Sequence, residues 1–167
     1  EFLSAALSSD MDDSDRVRLL LDDCKNFEID ILKPDVNNSQ LKFVNQGDNE
    51  ILYGLGAVKG LGKAAIENII SERQKKPFEN LYDFCARVDL SKVDKRGIEP
   101  LIKCGAMDSF NLSRKEMLES LEDAMKYAKQ NTMTQESGIS DLFGGISESN
   151  DFIPAKKDMY DDFANSK

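Results

Sequence analysis

Val58-Lys59-Gly60-Leu61-Gly62-Lys63-Ala64-Ala65 decides how this chain is read. Glycine reaches positive φ without a Cβ clash, so Gly60-Leu61-Gly62 can turn tightly. The helical pattern that follows, Lys63 to Arg73, opens directly out of that turn. The first amides of a helix lack intrahelical acceptors and sit at the positive end of its dipole, which favours an anion there. Lys59 and Lys63 flank the spot.

A Gly-hydrophobic-Gly turn between helices resembles the helix-hairpin-helix motif, which grips nucleic-acid phosphates without reading bases. Gly60-x-Gly62-x-x-Ala65 also matches a loose dinucleotide-binding fingerprint, which requires a preceding strand and a βαβ unit. Gly54 and Gly56 interrupt the preceding segment and no alternating strands follow. A purely structural turn is the other competitor. The two lysines, the local charge and a second helical pair downstream favour the phosphate reading.

The net charge of −9 opposes nucleic-acid binding, but its distribution is uneven. Residues 1–51 carry −7, residues 52–76 carry +3 and residues from Asn131 onward carry −4. The turn therefore lies in the basic part of an acidic chain, and local field governs encounter.

At 167 residues the chain is long enough for one domain with appendages. Mean hydropathy is −0.48 and charged residues make up 32 %, which implies substantial solvated segments. No apolar run approaches the roughly 20 residues of a membrane span. The start, Glu1-Phe2-Leu3-Ser4, has neither a basic n-region nor a Met. It reads as a cytoplasmic fragment without a signal peptide. Cys24, Cys85 and Cys104 are far apart and there is no His. Reduced, mostly buried thiols are expected, with no zinc site and no Ser/His or Cys/His catalytic arrangement.

Along the chain, the carboxylates of Asp10-Met11-Asp12-Asp13-Ser14-Asp15 suggest either a metal site or a helix cap. An EF-hand needs Gly at its sixth loop position and Glu at its twelfth, where this chain has Asp15 and Leu21. Capping of a helix from Asp15 to Asn26 is the favoured reading. Ile29 to Val36 reads as extended, and Leu41–Val44 with Glu50–Tyr53 as a β-hairpin. Pro77 and Phe78 start a short helix whose aromatics serve a core rather than a stacking surface. Asp94 caps Lys95–Lys103, where Pro100 argues for a kink or a later start. Ser113-x-x-Glu116 is a capping box opening a helix to about Gln130. The second turn, at Gly105, has Met107 where a second glycine would stand.

Several collinear stretches resemble the C-family replicative polymerases, the bacterial DNA polymerase III alpha subunits. They are Leu52 to Gly62, Pro77-Phe78-x-x-Leu81-x-Asp83-Phe84-Cys85-x-Arg87-Val88-Asp89 and Leu101-Ile102-Lys103-Cys104-Gly105-Ala106-Met107-Asp108. Asp35-Val36-Asn37 and Asp10-Met11-Asp12 continue the likeness upstream. The resemblance implies that residues 1–50 are the end of the fingers region and residues 51–130 a tandem helix-hairpin-helix DNA-binding domain. Residues 131–167 would be a flexible tail. In it Ile139, Ser140, Asp141, Leu142 and Phe143 are similar to the peptide that docks in the sliding clamp, with Ile139 where that pattern usually has Gln.

The expected fold is mainly α, with a small N-terminal α/β segment holding one β-hairpin and a disordered tail. The candidate phosphate-binding residues are Lys59, Gly60, Leu61, Gly62, Lys63, Lys95, Arg96, Arg114 and Lys115. Expected partners are duplex DNA, the sliding clamp (beta subunit) and, through the parent, other holoenzyme subunits; no membrane is expected. The family's catalytic carboxylates lie upstream, so no catalytic residue, metal or cofactor is assigned here, with Mg2+ and nucleotidyl transfer belonging to the parent polymerase. A helix-hairpin-helix repair enzyme and a structural adaptor without DNA affinity remain the alternatives.

Overall fold

Local capping chemistry sets most helix starts in the computed structural model, which describes residues 2–136. The peptide predicted to reach the clamp, Ile139 to Phe143, and most of the predicted tail lie outside the described residues. The first helix, α1 (Phe2–Ser9), is followed by α2 (Ser14–Asn26). Asp13 caps α2, its Oδ1 accepting from the Asp15 and Arg16 amides at 3.0 and 3.1 Å. The acidic run thus includes a cap, as its spacing suggested.

Three short strands follow: β1 (Asp30–Leu32), β2 (Val44–Asn45) and β3 (Glu50–Leu52). They form a mixed sheet in the order β1-β3-β2, with β1 parallel and β2 antiparallel to β3. The expected hairpin exists, but it is shorter, and the Ile29–Leu32 passage joins it as a third strand. Residues 40–43 leave the ladder because they lie over Gly54 and Gly56 instead. Leu55 and Gly56 amides donate to the Gln40 and Leu41 carbonyls at 2.8 and 2.9 Å. A Cβ on Gly54 would fall 2.6 Å from the Lys42 carbonyl carbon, so only glycine permits this approach.

The rest is helical: α3 (Lys63–Lys75), α4 (Leu81–Arg87), α5 (Lys95–Lys103) and α6 (Arg114–Glu136). A 3-10 turn at Leu55–Ala57 precedes α3, and another at Asp108–Phe110 precedes α6. The first hairpin's leading arm is therefore one 3-10 turn rather than a full helix, since β3 ends at Leu52 and Gly54 and Gly56 disfavour helix. The helix expected from Pro77 begins only at Leu81, where Asn80 accepts from the Asp83 amide at 2.9 Å. Residues 77–80 are instead held by Asn37, whose side chain accepts from the Phe78 amide (2.7 Å) and donates to the Phe78 carbonyl (2.9 Å).

The larger core gathers α3, α4, α5 and α6 around Phe84, Leu101, Ile102 and Met107, all 0 % exposed. Phe78 meets Phe84 edge-on with ring centroids 4.8 Å apart, so these aromatics are core, as read from their spacing. Val36, from the loop between β1 and β2, belongs to the same cluster. A smaller cluster of Leu7, Val17, Cys24, Phe43 and Ile51 lies under α1 and α2. Among the described residues the cysteines are free, with Cys24 and Cys85 buried.

Candidate nucleic-acid interface

Side chains cap α2, α4, α5 and α6, but not α3. Asp13 and Asn80 cap the first two. Asp94 Oδ1 accepts from the Gly97 amide at 3.0 Å. Ser113 and Glu116 form the reciprocal box, Oγ accepting from the Glu116 amide (3.2 Å) and Oε2 from the Ser113 amide (2.9 Å). Helix α3 begins on Gly62 with no side-chain cap. Among the described residues, no acceptor receives the amides of Lys63 and Ala64. Orphan donors at a helix start need water or a ligand.

The turn before them uses its glycines differently. Gly60 has φ 87°, the left-handed value that glycine tolerates. Gly62 has φ −75° and ψ 156°, which any residue adopts, and a Cβ there would meet nothing within 4 Å. Only Gly60 is required by the backbone; Gly62 leaves open space beside the free amides. Leu61, 8 % exposed, anchors the turn in the core.

Lys59 is exposed and forms no ion pair among the described residues. Lys63 starts α3 with a long contact to Glu67, 3.8 Å, at 74 % side-chain exposure. Arg96 is exposed on the first turn of α5, also without an ion pair among the described residues. The Arg96 carbonyl and the Pro100 ring face Gly60, at 3.3 and 3.5 Å from where its Cβ would be. Leu61 lies against Gly97, 3.3 Å from a Cβ placed there. The fold thus packs the Arg96 backbone against the turn that carries Lys59, Gly60, Gly62 and Lys63.

It does not bring the remaining candidates there in the same state. Lys95 donates to Glu122 at 2.5 Å and Lys115 lies 3.9 Å from Glu119. Arg114 is fully engaged: Nε and Nη2 reach the two Asp108 carboxylate oxygens at 3.0 and 2.8 Å, and Nη1 donates to the Lys103 carbonyl at 3.1 Å. Lys33 adds a third donor to Asp108 at 2.9 Å. These donors hold the Asp108 carboxyl far below the usual carboxylate range. The Gly105 turn is a Schellman cap, with Ala106 N to Leu101 O at 2.9 Å and Gly105 N to Ile102 O at 3.1 Å. Its amides are spent on closing α5. No local signal in the sequence pairs Asp108 with Lys33, because 75 positions separate them.

Among the described residues no helix is long and apolar enough to cross a membrane.

Residues 28–117 match the family model of the helix-hairpin-helix motif. The DNA polymerase III subunit alpha of Pseudomonas fluorescens is 37 % identical over 95 % of this chain and 14 % of its own length. That of Vibrio cholerae is 40 % identical over 93 % of this chain and 14 % of its own length. The Escherichia coli K12 protein of the same name is 40 % identical over 89 % of this chain. The chain spans about 14 % of the length of the first two of these relatives. It belongs to the helix-hairpin-helix family and is homologous, over nearly all its length, to a stretch of the alpha subunits of DNA polymerase III.

Proposed function

We propose that this chain holds duplex DNA through backbone phosphates and serves as the non-catalytic duplex grip of a replicative polymerase. The uncapped start of α3 carries the reading. Among α2 to α6 it is the one helix start with no side-chain cap. The exposed Lys59 and Lys63 flank it in sequence, and the Arg96 backbone packs on the adjoining turn in a chain that is acidic overall. A phosphate there accepts from the Lys63 and Ala64 amides and is neutralised by side chains that have no other strong partner. Contact of this kind positions a duplex without reading its sequence.

Fluorescence anisotropy with a labelled duplex tests this. Gly62→Val is compatible with the φ and the space at that position, yet crowds the free amides. It should weaken binding at least tenfold, about 1.4 kcal/mol. Lys59→Ala and Arg96→Ala should each flatten the salt dependence by about one phosphate contact. Unchanged affinity in a folded Gly62→Val protein would sink the reading and favour a structural adaptor.

A second contact belongs to the same proposal. Ile139, Ser140, Asp141, Leu142 and Phe143 tether the polymerase to its sliding clamp, with Leu142 and Phe143 as apolar anchors. What supports it is the sequence likeness together with the homology to polymerase III alpha subunits. Deleting 139–143 should abolish binding to purified clamp and leave duplex binding intact; clamp binding that survives the deletion refutes the tether.

A further inference from the structure

We propose that Asp108 is a resident anion that closes the second hairpin turn to phosphate, so that the duplex is held at the first turn alone. This deepens the duplex-binding reading above and rests on it.

The two turns can be put in register by their backbones. Gly60 has φ 87° and Gly105 has φ 85°. After each glycine comes a buried anchor, Leu61 at 8 % and Ala106 at 0 % exposure. The next residue caps a helical segment, Gly62 for α3 and Met107 for the 3-10 turn Asp108–Phe110. The residue that begins that segment is Lys63 in the first turn and Asp108 in the second. At equivalent points the first turn offers a cation and the second a carboxylate.

That carboxylate collects the cations around it. Arg114 engages both of its oxygens at 3.0 and 2.8 Å, and Lys33 adds a bond at 2.9 Å. The same fork geometry is how a guanidinium takes a phosphate, so Asp108 fills the place on Arg114 that a phosphate would use. Gly105 lies directly beneath, its added Cβ falling 2.8 Å from Asp108 Oδ2 and running into the Arg114 guanidinium. Arg114 Nη1 is taken by the Lys103 carbonyl. A phosphate approaching this turn meets a negative charge over a glycine with no free amide, whereas at Gly62 it meets open space.

Anisotropy titrations of the full chain against a labelled duplex, over a range of salt, test the asymmetry. Arg114→Ala and Lys33→Ala should leave both the affinity and the salt slope at wild-type values. Asp108→Asn should release the cations, tighten binding several-fold and steepen the slope by about one phosphate contact. Asp123→Asn makes the same change of net charge at an exposed site on α6 and should leave the slope unaltered. Loss of slope in Arg114→Ala or Lys33→Ala overturns the proposal while the first-turn grip stands. So does a folded Asp108→Asn protein with the wild-type slope. If Asp108→Asn does not fold, Lys33→Ala decides, because it leaves the Asp108–Arg114 pair in place. A wild-type chain without duplex affinity overturns both readings.

Discussion

Gly60 packs against the carbonyl of Arg96, close enough that a methyl group on the glycine would sit 3.3 Å from that oxygen. This carbonyl is the one that Pro100 leaves without a helical donor, because proline has no N–H to return four residues back. The proline does not delay α5, which starts at Lys95 on its Asp94 cap. Instead it exposes a carbonyl and a ring face on which the first turn rests. The proposed phosphate site would thus draw on two helical pairs, with the amides and two lysines from the first turn and Arg96 from α5, on which that turn rests.

Replacing Gly60 by Ala should therefore be costly to the fold. The backbone there is left-handed and the space is bounded by Arg96 and Pro100. A loss of about 1–2 kcal/mol is expected in urea denaturation. Gly62→Ala, at an ordinary φ and in open space, should lie within about 0.5 kcal/mol of wild type. Equal losses at the two positions would mean that the turn tolerates or requires both glycines for another reason.

The contrast between these glycines marks what could be read from the sequence. Caps at Asp94 and Ser113 and a tight turn at Gly60-Leu61-Gly62 are local, decided within a few residues, and the pattern reveals them; which of the two glycines is left-handed only the backbone shows. The pairing of Asp30–Leu32 with Glu50–Leu52 is a parallel contact across a long loop and leaves no local signature. The late start of α4 depends on Asn37, some forty positions upstream. Which cations are already paired was the least legible feature of the candidate site. Lys63, Arg96 and Arg114 look alike in sequence, but Arg114 is spent on Asp108 and Lys103, which only the fold makes evident.

Arg73 ties the loop 35–39 to α3. Arg73 is 9 % exposed, and its guanidinium donates to the carbonyls of Val36, at 3.0 Å, and Ser39. Arg73→Met keeps the apolar stem but leaves both carbonyls buried and unpaired. Denaturant titration should show a loss of about 3 kcal/mol. A loss below about 0.5 kcal/mol, the range of ordinary surface changes, would show that water replaces the guanidinium without penalty.

The thiols should differ in reactivity. Burial pushes Cys85 up to about 12 and also raises Cys24 and Cys104. The thiolate is the reactive form, so all three are slow at pH 8 in the native protein. Cys104, half-buried at the end of α5, should alkylate first with iodoacetamide, and Cys85 only on unfolding. Peptide mapping that finds Cys85 modified before Cys104 would contradict the deeper burial of Cys85.

Asp108 also predicts how the fold answers acid. Its carboxyl is held down first by the Arg114 hydrogen bonds and then by Lys33. A carboxylate whose folded pKa is depressed stabilises the native state above its unfolded value, about 3.9, and loses that contribution as pH falls toward the folded value. The stability gap between wild type and Asp108→Asn should therefore be constant from neutral pH to about pH 5 and shrink below about pH 4. Because Arg114 and Lys33 are partly solvated, at 47 % and 67 % side-chain exposure, the gap should also narrow in high salt. Parallel urea titrations at pH 7, 5 and 3 measure it. A gap that widens toward acid would mean that Asp108 is protonated more readily in the fold than out of it, and that the cations beside it are not its partners.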